Sequence, residues 1–198
     1  MEQPRSILIV QTAFIGDVIL ATALVEALRQ KFPAVQLDFL LRKGNEGLLE
    51  GNPQLRSVLI FDKRQKYKNL FALIAQVRSA RYDLVINVQR FATTGFLTVF
   101  SGAGKKVGFR KNPFSLLFTR RVEHAINGLH EVERNHKLIE FLVGSSMAKP
   151  RLYPSPQQLE KVAAYKNEPY ITVSPASVWF TKQLKKRSEE RRVGKECA

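Results

Sequence analysis

At 198 residues the chain is long enough for one full domain and part of a second, and a 44% apolar share with thirteen Phe excludes global disorder. No apolar run reaches the length of a membrane span, and the single cysteine, Cys197, excludes a disulfide framework or a cysteine metal cluster. The 32 Lys+Arg against 17 Asp+Glu, a net charge of +15, point to acidic partners such as nucleic acid, anionic lipid, or a phosphorylated or carboxylated substrate. A generically basic, soluble surface is the plain alternative.

The apolar run "SILIVQ", residues 6–11, predicts a strand buried on both faces, and the loop "TAFIG" follows it. A helix is expected from Asp17 to about Phe32, stopped by Pro33. "QLDFLL" reads as the second strand, "NEGLLEG" as a short helix ended by Gly51, and "SVLIFD" as the third strand. "YKNLFALIAQVRSA" has Leu70, Leu73, Ile74 and Val77 at helical spacing. "YDLVINV" predicts strand four, "FATTGFLTVFSG" a helix and "KKVGF" a short fifth strand. This βαβα progression implies an α/β fold, a Rossmann-like parallel sheet with helices on both faces.

Beyond Lys111, "HEVERNHKLIEFLVGS" predicts one helix closing at Gly144. "KPRLYPSP" reads as a proline-rich connector, "PQQLEKVAAYKN" as an amphipathic helix, and "YITVSPAS" as a new strand. The expected organisation is a domain over residues 1–155, a linker or helix over 156–169, and the start of a second domain over 170–187. Residues 188–198 have no periodicity that continues what precedes them and carry three basic and three acidic side chains; they are expected to be a non-native tail. An N-terminus that enters a strand at once, with no charged-then-apolar leader, leads to the expectation of a cytoplasmic protein.

In a parallel sheet of this kind ligands gather at the carboxyl ends of the strands. Gly16 lets the backbone approach a ligand there, although no G-x-G-x-x-G dinucleotide fingerprint is present. Asp17 has two readings. Aspartate is a preferred helix cap, and from pattern alone that is its ordinary role. A carboxylate at the mouth of the sheet can also take a proton from an incoming hydroxyl, and even a weak base suffices where bond breaking runs ahead of attack. "SPASVWFTKQ" offers Ser177, Thr181 and Lys182 as a phosphate-holding set, against the plain reading of a polar loop.

The four segments "AFIGDVILATALVEAL", "GFR", "HEVERN" and "SPASVWFTKQ" stand in the order seen in glycosyltransferase family 9, the ADP-heptose:lipopolysaccharide heptosyltransferases and their relatives. The resemblance spans about residues 6–184. It implies the N-terminal, acceptor-binding half of a GT-B enzyme, and a chain that breaks off early in the donor domain and is inactive alone. By resemblance, Asp17 is the catalytic base of an inverting transfer, and Lys182, with Thr181 and Ser177, binds the donor phosphate. The implied donor is a nucleotide-sugar of the ADP-heptose type.

The implied acceptor is the anionic lipopolysaccharide core. Gly16, Arg64, Arg90, Arg110, His130 and Asn135 are the expected acceptor contacts, chosen from a basic set that includes Lys63, Lys66, Lys68, Lys111, Arg120 and Arg121. Most of these cations are expected to be solvated. His124 and His136 are expected at the surface, and Glu131 and Glu133 solvated or paired with Arg134. No D-x-D and no His/carboxylate spacing is present, so neither metal nor cofactor is expected. A peripheral contact with the membrane surface, at the inner face of the inner membrane, goes with such an acceptor. The rival reading is a basic α/β nucleic-acid-binding module. It rests on the charge alone, the Phe residues being at core spacing rather than on an exposed stacking platform, so nucleic acid is not expected as a partner.

Overall fold

The computed structural model describes residues 3–125 and 128–173. The chain divides into two compact units, residues 1–155 and 156–198. In the first, six parallel strands form one sheet: β1 (Ser6–Val10), β2 (Gln36–Arg42), β3 (Ser57–Phe61), β4 (Leu84–Asn87), β5 (Lys105–Phe109) and β6 (Arg120–Val122), in the spatial order 3-2-1-4-5-6. Between and beyond them run α1 (Ile15–Lys31), α2 (Lys66–Ser79), α3 (Ala92–Phe100), α4 (Glu131–His136) and α5 (Glu140–Val143). This is the order of a doubly wound sheet, reversing direction between β1 and β4.

The alternation of side chains along β1 explains the two layers. Ile7 and Ile9 enter one core with Val18, Leu24 and Leu28 of α1 and with Leu138 and Ile139; Leu8 and Val10 enter the other with Leu70, Leu73, Ile74 and Val77 of α2 and Leu97 of α3. At the amino ends of the strands, Asp38 is almost wholly buried, held by Arg56 and by the Tyr82 hydroxyl. Burial alone would raise its pKa, but the hydrogen bonds from Arg56, Tyr82 and Ser57 prevail and hold it below the usual carboxylate value.

Four expectations are corrected here. The α1 helix begins at Ile15, with Phe14 at its cap position and no side-chain cap bond, so Asp17 stands in the first turn and does not cap it. A sixth strand, β6, pairs with β5 although "RRV" shows no apolar alternation, because it is a short edge strand whose side chains are mostly exposed. The expected helix over 130–145 is two: Leu138 and Ile139 both turn into the core, and the chain tightens through Leu138 N–H to Asn135 O (3.0 Å) and Ile139 N–H to His136 O (2.9 Å). His136 is buried there, its Nε2 2.8 Å from Gly144 O, so it braces the break instead of lying at the surface.

The connector after α5 is stitched to α1. The Arg151 N–H donates to Thr22 Oγ1 (3.0 Å), the Tyr153 hydroxyl donates to the buried Glu26 Oε1 (2.9 Å), and Gln54 Nε2 donates to Tyr153 (3.4 Å). The second unit opens with α6 (Pro156–Ala163) and a 3-10 turn, Ala164–Lys166. The strand expected from Tyr170 is absent over residues 170–173, which have no neighbouring strand among the described residues; its continuation lies outside them.

Candidate functional site

The carboxyl edge of the sheet has a buried polar floor at the β1/β4 reversal. The Thr12 hydroxyl donates to Gln89 Oε1 (3.2 Å), Gln89 Nε2 to Gln11 Oε1 (2.6 Å), and Gln89 N–H to Asn87 Oδ1 (2.9 Å). Asn112 reaches across from the loop after β5, its Nδ2 donating to the carbonyls of Gln89 (3.2 Å) and Phe91 (3.0 Å). The loops leaving β1 and β4 are thereby fixed to one another and to the β5 loop.

Asp17, in the first turn of α1, lies at the same edge of the sheet as this floor. It is half-buried, with no hydrogen-bond or ion-pair partner among the described residues. Gly16, beside it, is exposed, and a Cβ there would meet open space. The first N–H groups of α1 have no acceptor within the helix, which gives this point a positive partial charge.

Cations line the edge on both sides. Arg64 follows β3 and Arg42 ends β2; Arg90 follows β4 and Arg110 follows β5. Arg64, Arg90 and Arg110 are exposed, and among the described residues the Arg110 guanidinium pairs only with Glu123, loosely, at 3.9 Å. On the β2/β3 side a cleft of about 510 Å³ is lined by Arg42, Lys43, Glu46, Asp62, Lys63 and Arg64. Its two carboxylates are occupied: Asp62 by Lys43 Nζ (2.8 Å) and the Arg64 N–H (2.9 Å), Glu46 by the Gly44 N–H. Two guanidiniums are left without a carboxylate partner among the described residues: that of exposed Arg64, and that of half-buried Arg42, which lies 5.1 Å above the Phe14 ring. Asn45 Nδ2 donates to Ala13 O (3.1 Å), tying this cleft to the loop that carries Asp17. A larger cleft, about 610 Å³, lies at the opposite edge among Arg5, Asp83, Lys105 and Phe141, away from all of these residues.

His124, after β6, is buried with its ring edge-on to Phe109 (4.8 Å between centroids) and its Nδ1 without a partner among the described residues, where a surface position was expected. Burial first, then the nearby charge of Arg90, hold its imidazole below the ordinary histidine value. His130 caps α4: Nδ1 accepts from Val132 N–H (3.3 Å), while Glu133 accepts from His130 N–H (2.5 Å). Glu131 pairs with Arg134. Asn135 does not reach the open edge, because α4 packs on α1 and encloses it, leaving both amide atoms without a partner among the described residues. Ser177, Thr181 and Lys182 lie outside the described residues.

Thus the structure sets Gly16, Asp17, Arg64, Arg90 and Arg110 along one edge and leaves Asn135 beneath it. Sequence reading missed Arg42 and Asn112. Arg42 carries the same signal that picked out Arg64, a cation directly after a predicted strand; Asn112 carries none. The Phe expectation also needs correction: Phe39 and Phe109 are core, but Phe14, Phe71, Phe91 and Phe100 are exposed.

A doubly wound parallel sheet with an acid unpaired among the described residues at its reversal point and cations on the flanking loops is a Rossmann-like ligand-binding fold. The chain belongs to glycosyltransferase family 9 (heptosyltransferase), whose family model matches residues 70–188. It is similar to the lipopolysaccharide core heptosyltransferase OpsX of Haemophilus influenzae, 27% identical over 54% of this chain and 31% of that one. It is also similar to lipopolysaccharide heptosyltransferase 3 of Escherichia coli K12, 29% identical over 64% of this chain and 39% of that one. The matched residues are therefore well under half the length of these relatives.

Among solved structures, a glycosyltransferase family 9 protein of Veillonella parvula superposes with a TM-score of 0.72 at 19% identity, over 81% of this chain and 49% of that one. The E. coli heptosyltransferase WaaC with ADP-2-deoxy-2-fluoro heptose gives 0.63 at 22% identity, over 74% and 50%. These establish the α/β fold. No helix among the described residues is long and apolar enough to cross a membrane.

Proposed function

We propose that this chain supplies the acceptor side of an inverting, metal-independent heptosyl transfer to a lipopolysaccharide core. Asp17 takes the proton of the acceptor hydroxyl as its oxygen attacks the anomeric carbon from the face opposite the nucleotide, and the bond to ADP breaks. Arg64, Arg90, Arg110 and Arg42 hold the anionic groups of the acceptor, with His130 at the margin of that surface. Lys182, with Thr181 and Ser177, takes the donor phosphate and stabilises the departing ADP. The donor reading draws support from WaaC, solved with ADP and with an ADP-heptose analogue. A cytoplasmic site of action goes with it.

The observation that carries the reading is Asp17 itself: a carboxylate without a partner among the described residues, at the reversal of the sheet and between two banks of cations, in a chain of this family. Calorimetric titration with a Kdo-containing core oligosaccharide tests the acceptor side. Binding is expected, weakened by Arg64→Gln and by Arg90→Gln and unchanged by Asp17→Asn. Tighter, salt-dependent binding of a nonspecific oligonucleotide would overturn it in favour of a nucleic-acid module. In a form that includes a whole donor domain, Asp17→Asn should abolish ADP release while the fold is kept.

A further inference from the structure

Arg90 lies where the chain passes from the buried floor to α3. Gln89, before it, belongs to the floor, and Phe91, after it, is the cap position of α3 and makes no side-chain cap bond. Arg90 and Phe91 are both exposed. What holds this stretch comes from the loop after β5. Asn112 Nδ2 donates to Gln89 O (3.2 Å) and to Phe91 O (3.0 Å), the carbonyls on either side of Arg90, while its Oδ1 accepts from Phe114 N–H (3.0 Å). Both amide hydrogens of one buried side chain are thus spent on the two residues that flank one arginine. Gly95 leaves the room for it, since a Cβ there would stand 2.1 Å from Asn112 Oδ1.

The main chain that carries Asn112 is itself braced. Arg110 N–H donates to Val122 O (2.8 Å), the Ser115 hydroxyl donates to Arg110 O (2.8 Å), and Asn112 N–H donates to Phe109 O (3.0 Å). The loop that grips the Arg90 stretch is therefore also the loop that presents Arg110. These two cations leave the carboxyl ends of β4 and β5, which are hydrogen-bonded neighbours in the sheet and so about 4.8 Å apart. Their charges converge on one place: Arg110 Nε is 3.9 Å from Glu123, and the charge of Arg90 bears on His124, the next residue.

We infer that Asn112 is a positioning residue for the acceptor: by fixing the residues on both sides of Arg90 it holds that guanidinium beside Arg110, so that the two close on one anionic group. The inference rests on the acceptor reading given above and adds to it a buried, neutral residue that touches no ligand. An arginine on a loose stretch of chain has to be ordered when an anion binds, and that loss of freedom is subtracted from the affinity. With Asn112 in place the ordering is complete before the ligand arrives. Were Asn112 only a brace for the fold, its loss would weaken binding to the same degree whichever cation is present.

Calorimetric titration of the 198-residue chain with the Kdo-containing core oligosaccharide separates the two. Asn112→Ser retains an oxygen able to accept from Phe114 N–H, two residues on, and removes both bonds to the carbonyls. It should weaken binding by about two- to tenfold, the change that goes with ordering one side chain on binding. In an Arg90→Gln background the same substitution should alter affinity by less than about twofold, whereas in an Arg64→Gln background the full loss should remain. Gly95→Ala drives a methyl against the same amide and should show the same dependence on Arg90. Thermal melts fix a temperature at which each variant is folded. An equal loss in the Arg90→Gln and Arg64→Gln backgrounds overturns the inference and leaves the acceptor reading standing. So does no loss from either substitution when Arg90→Gln itself weakens binding. Binding that Arg90→Gln leaves unchanged, or no binding by the unsubstituted chain, overturns the acceptor reading and the inference with it.

Discussion

Gly95, in the first turns of α3, marks the tightest packing of any glycine among the described residues. A Cβ at this position would stand 2.1 Å from Asn112 Oδ1, 2.8 Å from Cγ and 2.9 Å from Nδ2. Asn112 is buried and cannot simply swing aside, because three hydrogen bonds hold it: to the carbonyls of Gln89 and Phe91, and from the N–H of Phe114. Gly95→Ala must therefore displace it. Three bonds at about 1 kcal/mol each are set against the roughly 1 kcal/mol by which Ala exceeds Gly in a helix, leaving a net loss of about 2 kcal/mol. For a domain of this size that is a fall of about 4–8 °C in Tm. Urea unfolding of four chains closes the cycle: unsubstituted, Gly95→Ala, Asn112→Ala, and both. In the Asn112→Ala background the added methyl meets no amide, so Gly95→Ala should there be neutral or stabilising by up to about 1 kcal/mol. If Gly95→Ala were harmless alone, or equally costly in both backgrounds, the steric argument would be refuted.

Three further outcomes are expected. Asp38 takes up its proton nearer 3.8 when unfolded than when folded, so its network contributes fully above that pH and is lost as pH falls through the lower folded value; Arg56→Gln should move the acid-unfolding midpoint to higher pH, read by circular dichroism. His124, held below 6.5 by burial and by Arg90, lets the unfolded chain bind the proton first, so stability is complete above that pH and declines as pH drops through the folded value. His124→Phe should flatten that decline in melts taken between about pH 7.5 and pH 5, and an unchanged slope would refute the assignment. Arg42→Gln should weaken core-oligosaccharide binding roughly 10- to 100-fold if its guanidinium makes one charge-assisted bond to the acceptor, with little change in Tm.

The layers of this fold are legible wherever a residue's surroundings follow from its neighbours in sequence. "SILIV" must be buried on both faces, and α2 shows its apolar stripe at Leu70, Leu73, Ile74 and Val77. The edge strand β6 was not legible, because "RRV" is held beside β5 with the help of Phe118, a residue of the preceding connection that packs into the space above Gly108. The break between α4 and α5 was hidden for a like reason: an unbroken helical pattern does not announce that Leu138 and Ile139 both face one core. At the site, the rule that ligands meet the carboxyl ends of strands located Asp17, Arg64, Arg90 and Arg110 at one edge. The same rule could not foresee that Arg42 would lack a carboxylate while Lys43, its neighbour, has Asp62. Nor could it foresee that Asn112 would clamp a floor built by residues far from it in sequence.

The stitches along α1 give that helix a mechanical character. Asp17 lies in its first turn, Thr22 holds the Arg151 backbone and Glu26 holds the Tyr153 hydroxyl. At about 1.5 Å per residue these anchors sit roughly 7 and 13 Å from Asp17 along one rigid rod. The chain leaving the first unit is therefore fastened to the same lever that aims the carboxylate. A tug on residues 151–153 acts directly on α1, as it does on Gln54 through Tyr153, and Thr22 and Glu26 are fulcrum points for the position of Asp17 although neither lies at the open edge.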